Sequence, residues 1–104
     1  MDTLGRLEFQ LLAVLLEQPR DAYGVTIMQR VEERAGHTRS LAAIYAALDR
    51  LQTKGMVSSR WGEPTSERGG RRKRYYKIEA SGAEAVRQTR LAVQPFGVAA
   101  GGAA

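Results

Sequence analysis

The sequence predicts a mainly α-helical domain with one small β-hairpin, and three observations predict it. Leucines recur at helical spacing near the start of the chain. A second amphipathic stretch, bounded by Ser40 and Gly55, has the length and the caps of a helix. Beyond Gly55 the helical period is lost, and "MVSSRW" and "KRYYKI" flank a loop rich in glycine, serine and proline.

Leu4, Leu7, Leu11, Leu12, Leu15 and Leu16 predict a largely buried first helix over residues 3–18, with Thr3 as its cap and Pro19 as its stop. Asp21 is the expected cap of a second helix, with Tyr23 and Gly24 in its first turn. Val25, Ile27, Met28 and Val31 are its apolar residues, and Gly36 lies just past its end. In the third helix Leu41, Ile44, Tyr45, Leu48, Leu51 and Gln52 share one arc, while Ala43, Ala46, Ala47 and Arg50 lie opposite. An outward face of alanines has two readings. Alanine is the best helix former, and small side chains also let a helix approach a groove closely. Ser81-Gly82-Ala83-Glu84 matches a capping box and opens a fourth helix running to about Leu91 or Val93. The expected domain spans residues 1–93, followed by a flexible Gly/Ala-rich tail over 94–104.

Composition narrows the function. The 104 residues suit one domain, and 43% hydrophobic residues exclude a wholly disordered chain. The absence of cysteine excludes disulfides and thiolate metal sites. His37 is the only histidine, so a histidine zinc cluster is excluded as well. No phosphate-binding glycine loop is present, because Gly69-Gly70 lacks the helix and lysine that follow in one. Neither an enzyme nor a cofactor is expected. The longest apolar stretch, Leu11 to Leu16, is too short to span a bilayer, and Met-Asp-Thr-Leu-Gly lacks the basic start of a secretory signal. A cytoplasmic location is expected. A net charge of +5 and a pI near 10.1 favour an anionic partner.

The order helix, helix, amphipathic helix, strand, basic loop, strand, helix is that of a winged helix-turn-helix, with "SERGGRRKRYYKI" as the wing and its second strand. The sequence also resembles the PadR family of bacterial transcriptional regulators. The resemblance is carried by "DAYGVTI" at 21–27, "SLAAIYAALDRLQTKGMVSSRWG" at 40–62 and "GGRRKRYYKIEASG" at 69–82, and it covers about residues 4–90. It implies a winged helix-turn-helix that dimerises and usually represses transcription, often releasing DNA when a small molecule binds. Three departures stand out. Ala42 stands where the family often has glycine, and Glu79 where it commonly has threonine. One short helix and a Gly/Ala tail are expected in place of a long C-terminal dimerisation region.

The N-terminal end of a recognition helix meets base edges in such proteins. That nominates Thr38, Arg39, Ser40, Ala42 and Ala43. Arg39 can donate two hydrogen bonds to a guanine edge, worth about 1–3 kcal/mol in discrimination, and Ala42 or Ala43 can meet a thymine methyl. Ser40 either caps or contacts DNA. Tyr45 is assigned to the core, with its hydroxyl in reach of a phosphate as the alternative. Arg68, Arg71, Arg72, Lys73 and Arg74 place five cations within seven residues, flanked by Glu63 and Glu67, and about three are expected to touch backbone phosphates. Tyr76 with Ile78, and Val57 with Trp61, are assigned to packing. The expected partner is double-stranded DNA at a pseudo-palindromic operator, bound by a homodimer through Leu4, Leu7, Leu11, Ala83, Val86 and Leu91. The competing reading is a winged helix that binds a protein or RNA instead. A protein-binding module would expose an apolar patch on the third helix, whereas small residues beside clustered cations suit a duplex groove.

Overall fold

The computed structural model describes residues 4–18, 20–64 and 72–101. Helix α1 spans Arg6–Glu17 and fully buries Leu11, Leu12, Val14 and Leu15. It starts later than the leucine pattern suggests, because the Glu8 carboxylate accepts the Gly5 N–H at 2.9 Å and closes the first turn there. Thr3 and Pro19, its expected cap and stop, lie outside the described residues. Leu16 turns away from the core and is exposed.

The chain reverses at Asp21, whose φ of 58° lies in the left-handed region. Ala22–Tyr23 then form a two-residue strand, β1, before helix α2 at Gly24–Ala35. Asp21 is therefore not the cap of α2. That position belongs to Tyr23, whose N–H donates to Thr26 Oγ1 at 3.1 Å while the same hydroxyl donates to the Tyr23 carbonyl at 2.9 Å. Pairing with the sheet holds residues 22 and 23 extended, so the helix cannot begin sooner. Gly36 closes α2 at φ 77°, as expected.

Helix α3 covers Leu41–Thr53, and the Ser40 hydroxyl caps it by accepting the Ala43 N–H at 3.1 Å. Strands β2 (Val57–Trp61) and β3 (Arg74–Ile78) follow. The sheet is antiparallel in the order β1-β3-β2, with Tyr76 opposite both Ala22 and Ser59. The hairpin is as expected; the third strand is an addition. Helix α4 runs from Ala80 to Gly101. It starts without the expected Ser81 cap. The Glu79 carbonyl accepts the Ala83 N–H at 3.0 Å, the Ser81 hydroxyl donates to the Gly55 carbonyl at 2.8 Å, and Glu84 pairs with Arg87 at 2.6 Å. The helix also continues past the expected stop at residues 91–93. Ala92 before Pro95 and Ala99 and Ala100 after it favour helix, and the helix runs through the proline.

One core joins these elements: Leu11, Leu12 and Leu15 of α1, Ile27 and Val31 of α2, Ile44, Leu48 and Leu51 of α3, Tyr76 of β3 and Val86 of α4. Ala47 belongs to it, contrary to its assignment to the outer face, because α1, α2 and β2 together cover a wider arc of α3 than one neighbour would. Glu8 is the exception in composition, a charged side chain only 5% exposed. Its carboxylate accepts from Arg50 Nε at 3.3 Å and from Lys54 Nζ at 3.2 Å, tying the start of α1 to the end of α3. Burial raises its pKa, but the Gly5 N–H, Lys54 and Arg50 together outweigh burial and hold it below the ordinary 4.5.

A carboxyl with a depressed folded pKa contributes stability that is present above its unfolded pKa and is lost as pH falls through the folded one. Glu8→Gln should therefore cost about 1–3 kcal/mol at pH 7 and progressively less as the pH drops below 4.5. Urea denaturation of both proteins at pH 7 and pH 3 checks this. A difference that stays constant with pH would show that the charge is not what matters.

Candidate nucleic-acid interface

Burial of Ile44, Ala47, Leu48 and Leu51 turns the opposite side of α3 outward. Thr38, Ser40, Ala42, Tyr45, Ala46, Asp49 and Arg50 are exposed there, with Ala43 half-buried at one margin. The small outer face therefore consists of Ala42 and Ala46. Tyr45 is not a core residue. It is 37% exposed, and its ring lies across Gly24 at the start of α2. A Cβ on Gly24 would sit 2.5 Å from Tyr45 Cζ, so glycine is what admits the ring.

Arg39 departs from expectation in position. Its side chain is half-buried, and its Nε is buried without a hydrogen-bond partner. It lies on the α1 flank of α3, in a cleft shared with Arg6, Glu8, Arg50 and Lys54. That flank is away from the wing.

On the other flank, a second cleft of about 420 Å³ opens between α3 and the wing, lined by Tyr45, Asp49, Trp61, Arg72, Lys73 and Arg74 among others. Arg72 and Lys73 are exposed, and the Lys73 ammonium sits 4.6 Å from the centre of the Tyr23 ring. Arg68 and Arg71 lie outside the described residues. Arg74 is engaged internally. Its Nε donates to Ser59 Oγ at 3.0 Å and its Nη2 to Gln52 Oε1 at 3.4 Å, with the guanidinium 5.5 Å from the Trp61 ring and 5.7 Å from that of Tyr76. Ser59 Oγ in turn donates to Gln52 Oε1 at 3.1 Å. Arg74 is thus a strut between wing and α3. Burial raises the Tyr76 pKa, and Arg74 partly offsets that.

Val57 packs inward as expected, but Trp61 on the same strand face is 58% exposed, because the hairpin extends past the helices that cover Val57. Sequence reasoning also missed Gln52, Ser59, Asp49 and Arg60. Arg60 lies on the outer face of the sheet, 4.7 Å from the centre of the Tyr75 ring and 4.0 Å from Asp21. The period of two in "VSSRW" puts Arg60 on the face opposite Val57 and Trp61, but nothing in it singles out Ser59. The surfaces named for dimerisation divide similarly. Leu11 and Val86 are fully buried in the chain's own core and cannot meet a partner, Leu4, Leu7 and Ala83 are half-buried, and Leu91 is exposed. Among the described residues no group of His, Asp and Glu side chains is placed to hold a metal ion, and no helix is long and apolar enough to cross a membrane.

A capped helix with a small-residue outer face, flanked by a cationic hairpin, defines a winged helix-turn-helix. Residues 11–88 match the family model described as the transcriptional regulator PadR-like family, and the chain belongs to that family. Solved structures agree in fold. A PadR-family transcription regulator from Clostridium difficile is 23% identical, with a TM-score of 0.75 over 88% of this chain and 91% of that one. A PadR-like transcription factor from Bacteroides fragilis is 21% identical, with a TM-score of 0.73 over 94% and 89%. RosR of H. salinarum is 27% identical, with a TM-score of 0.68 over 88% and 76%. No curated protein sequence matches the chain significantly.

The sole tryptophan lies against Arg74, so its emission reports on the strut. Arg74→Ala should shift Trp61 fluorescence and destabilise the fold by about 0.5–1.5 kcal/mol, since Ser59 Oγ loses its donor while Gln52 Oε1 keeps the Ser59 hydroxyl. Unchanged emission and unchanged denaturation would show that the strut carries no energy.

Proposed function

We propose that this chain is a sequence-specific double-stranded DNA-binding regulator, a repressor, acting as a homodimer on a pseudo-palindromic operator. The observation that carries this is the outer face of α3, where Ala42 and Ala46 leave the helix slim and Arg72 and Lys73 stand beside it on the wing. At 1.5 Å per residue the 13 residues of α3 span about 20 Å. That suits a helix lying in a major groove. Thr38, Ser40, Ala42 and Ala43 then face base edges, while Arg72 and Lys73 face the phosphate backbone.

A single α3 covers one half-site, and a two-fold dimer supplies the second. The surface proposed for the axis joins Leu4, which precedes α1, and Phe9 of α1 to α4 through Ala83 and Leu91. Beside it, an apolar cleft of about 750 Å³ lined by Leu4, Arg6, Phe9, Thr89 and Arg90 runs between the start of the chain and α4. A small apolar effector seated at such a seam would change the separation of the two recognition helices and so release DNA.

Selection from random duplex DNA tests the reading. Enrichment of two similar half-sites, spaced by about 10 base pairs or a multiple of that, is expected. Recovery of no preferred sequence, or equal retention of single strands, would contradict it.

A further inference from the structure

We infer that the flank of α3 opposite the wing is a second phosphate-binding surface, formed by Arg6, Arg39 and Arg50, which holds the DNA strand the wing does not reach. The inference rests on the placement of α3 in a major groove. A helix with its side chains is about 10–12 Å across and the groove about 12 Å wide, so a docked helix has a phosphate backbone along each flank. The wing supplies cations to one backbone only.

The opposite flank is cationic by construction. The start of α1 lies against α3 and encloses a cleft of about 630 Å³ lined by Arg6, Glu8, Arg39, Arg50 and Lys54. Four cations therefore surround one carboxylate. Lys54 is mostly buried and directed at both Glu8 oxygens, 3.2 Å from each, so it is the cation that Glu8 neutralises. Arg50 gives Glu8 only its Nε, at 3.3 Å, and its side chain is 56% exposed, which leaves its outer nitrogens facing the cleft mouth. Arg6 and Arg39 have no ion-pair partner among the described residues. The Arg39 Nε–H is buried with no acceptor. Buried donors are seldom left unmet, and a guanidinium with an orphaned N–H inside a cationic cleft calls for an anion. A phosphodiester at the cleft mouth supplies that charge, and the outer nitrogens of a guanidinium fork suit it even where Nε itself is out of reach. Asp49, the carboxylate on the exposed face of α3, lines the cleft on the wing side, so it does not offset this charge.

Arg39 is accordingly a backbone clamp rather than a guanine reader. Fluorescence anisotropy of the full chain on a mixed-sequence duplex, titrated with salt, tests this. Arg6→Gln, Arg39→Gln and Arg50→Gln should each lower the log–log salt slope by about 0.9. Arg39→Lys should restore most of the loss, and Arg87→Gln, exposed on α4 and paired with Glu84, should leave the slope unchanged. Thermal melts identify any variant that fails to fold; Arg6 is exposed in the first turn of α1, so its variant keeps the test open. Slopes unchanged in the folded Arg6, Arg39 and Arg50 variants, while Arg72→Gln with Lys73→Gln lowers the slope, would overturn this inference and leave the proposed function standing. An unsubstituted chain that fails to bind duplex even at low salt would overturn both.

Discussion

Ile44, Ala47, Leu48 and Leu51 are completely buried, and their burial against α1, α2 and β2 sets the rotation of α3 about its own axis. Each large apolar side chain removed from water contributes about 1.5–3 kcal/mol, so a rotation that exposed this row would cost more than a small domain can lose. Everything functional on the helix follows from that constraint. Ala42 and Ala46 face outward because the buried row faces inward, and the two flanks, one toward the wing and one toward α1, become chemically distinct. The rotation is held on both flanks of the C-terminal end of α3 by polar ties, Glu8 to Arg50 and Lys54 on one side and Gln52 to Ser59 and Arg74 on the other.

The sheet performs the complementary task. Strand β3 lies in the middle, pairing with β1 on one side and β2 on the other, and its Tyr76 is buried in the common core. The wing is therefore anchored through a strand that cannot slip by one residue without turning Tyr76 to solvent. Arg74, two positions along, connects the same strand to α3. A wing so connected keeps Arg72 and Lys73 at a fixed offset from Ala42 and Ala46.

The long-period features were legible in the sequence. Ser40 and Gly55 bracket α3 as their chemistry dictates, Gly36 closes α2, and the two strands of the hairpin fall where the apolar period changes. What escaped depends on contacts between distant segments. Ala47 sits on the alanine side of the wheel, yet three neighbours rather than one bury it. Nothing in "RRKRYYKI" distinguishes Arg74 from Arg72; only the register Trp61 opposite Arg74 makes one a strut and leaves the other exposed. Asp21 resembles a helix cap until Ala22 and Tyr23 pair with β3. Glu8 looks like a surface carboxylate within a leucine helix, and its partners lie more than forty residues away. The α4 helix outlasts the expected stop although Pro95 and the nearby glycines each disfavour helix.

The most direct test of the account is to map which backbone amides shift when a duplex is added to the isotopically labelled chain. The account predicts the largest changes at Thr38, Ala42, Ala46, Asp49 and Lys73, with Arg6 and Arg39 also affected, and little change on the outer sheet face at Ser58, Tyr75 and Lys77. Changes confined to that outer face or to α4, with α3 unaffected, would contradict it.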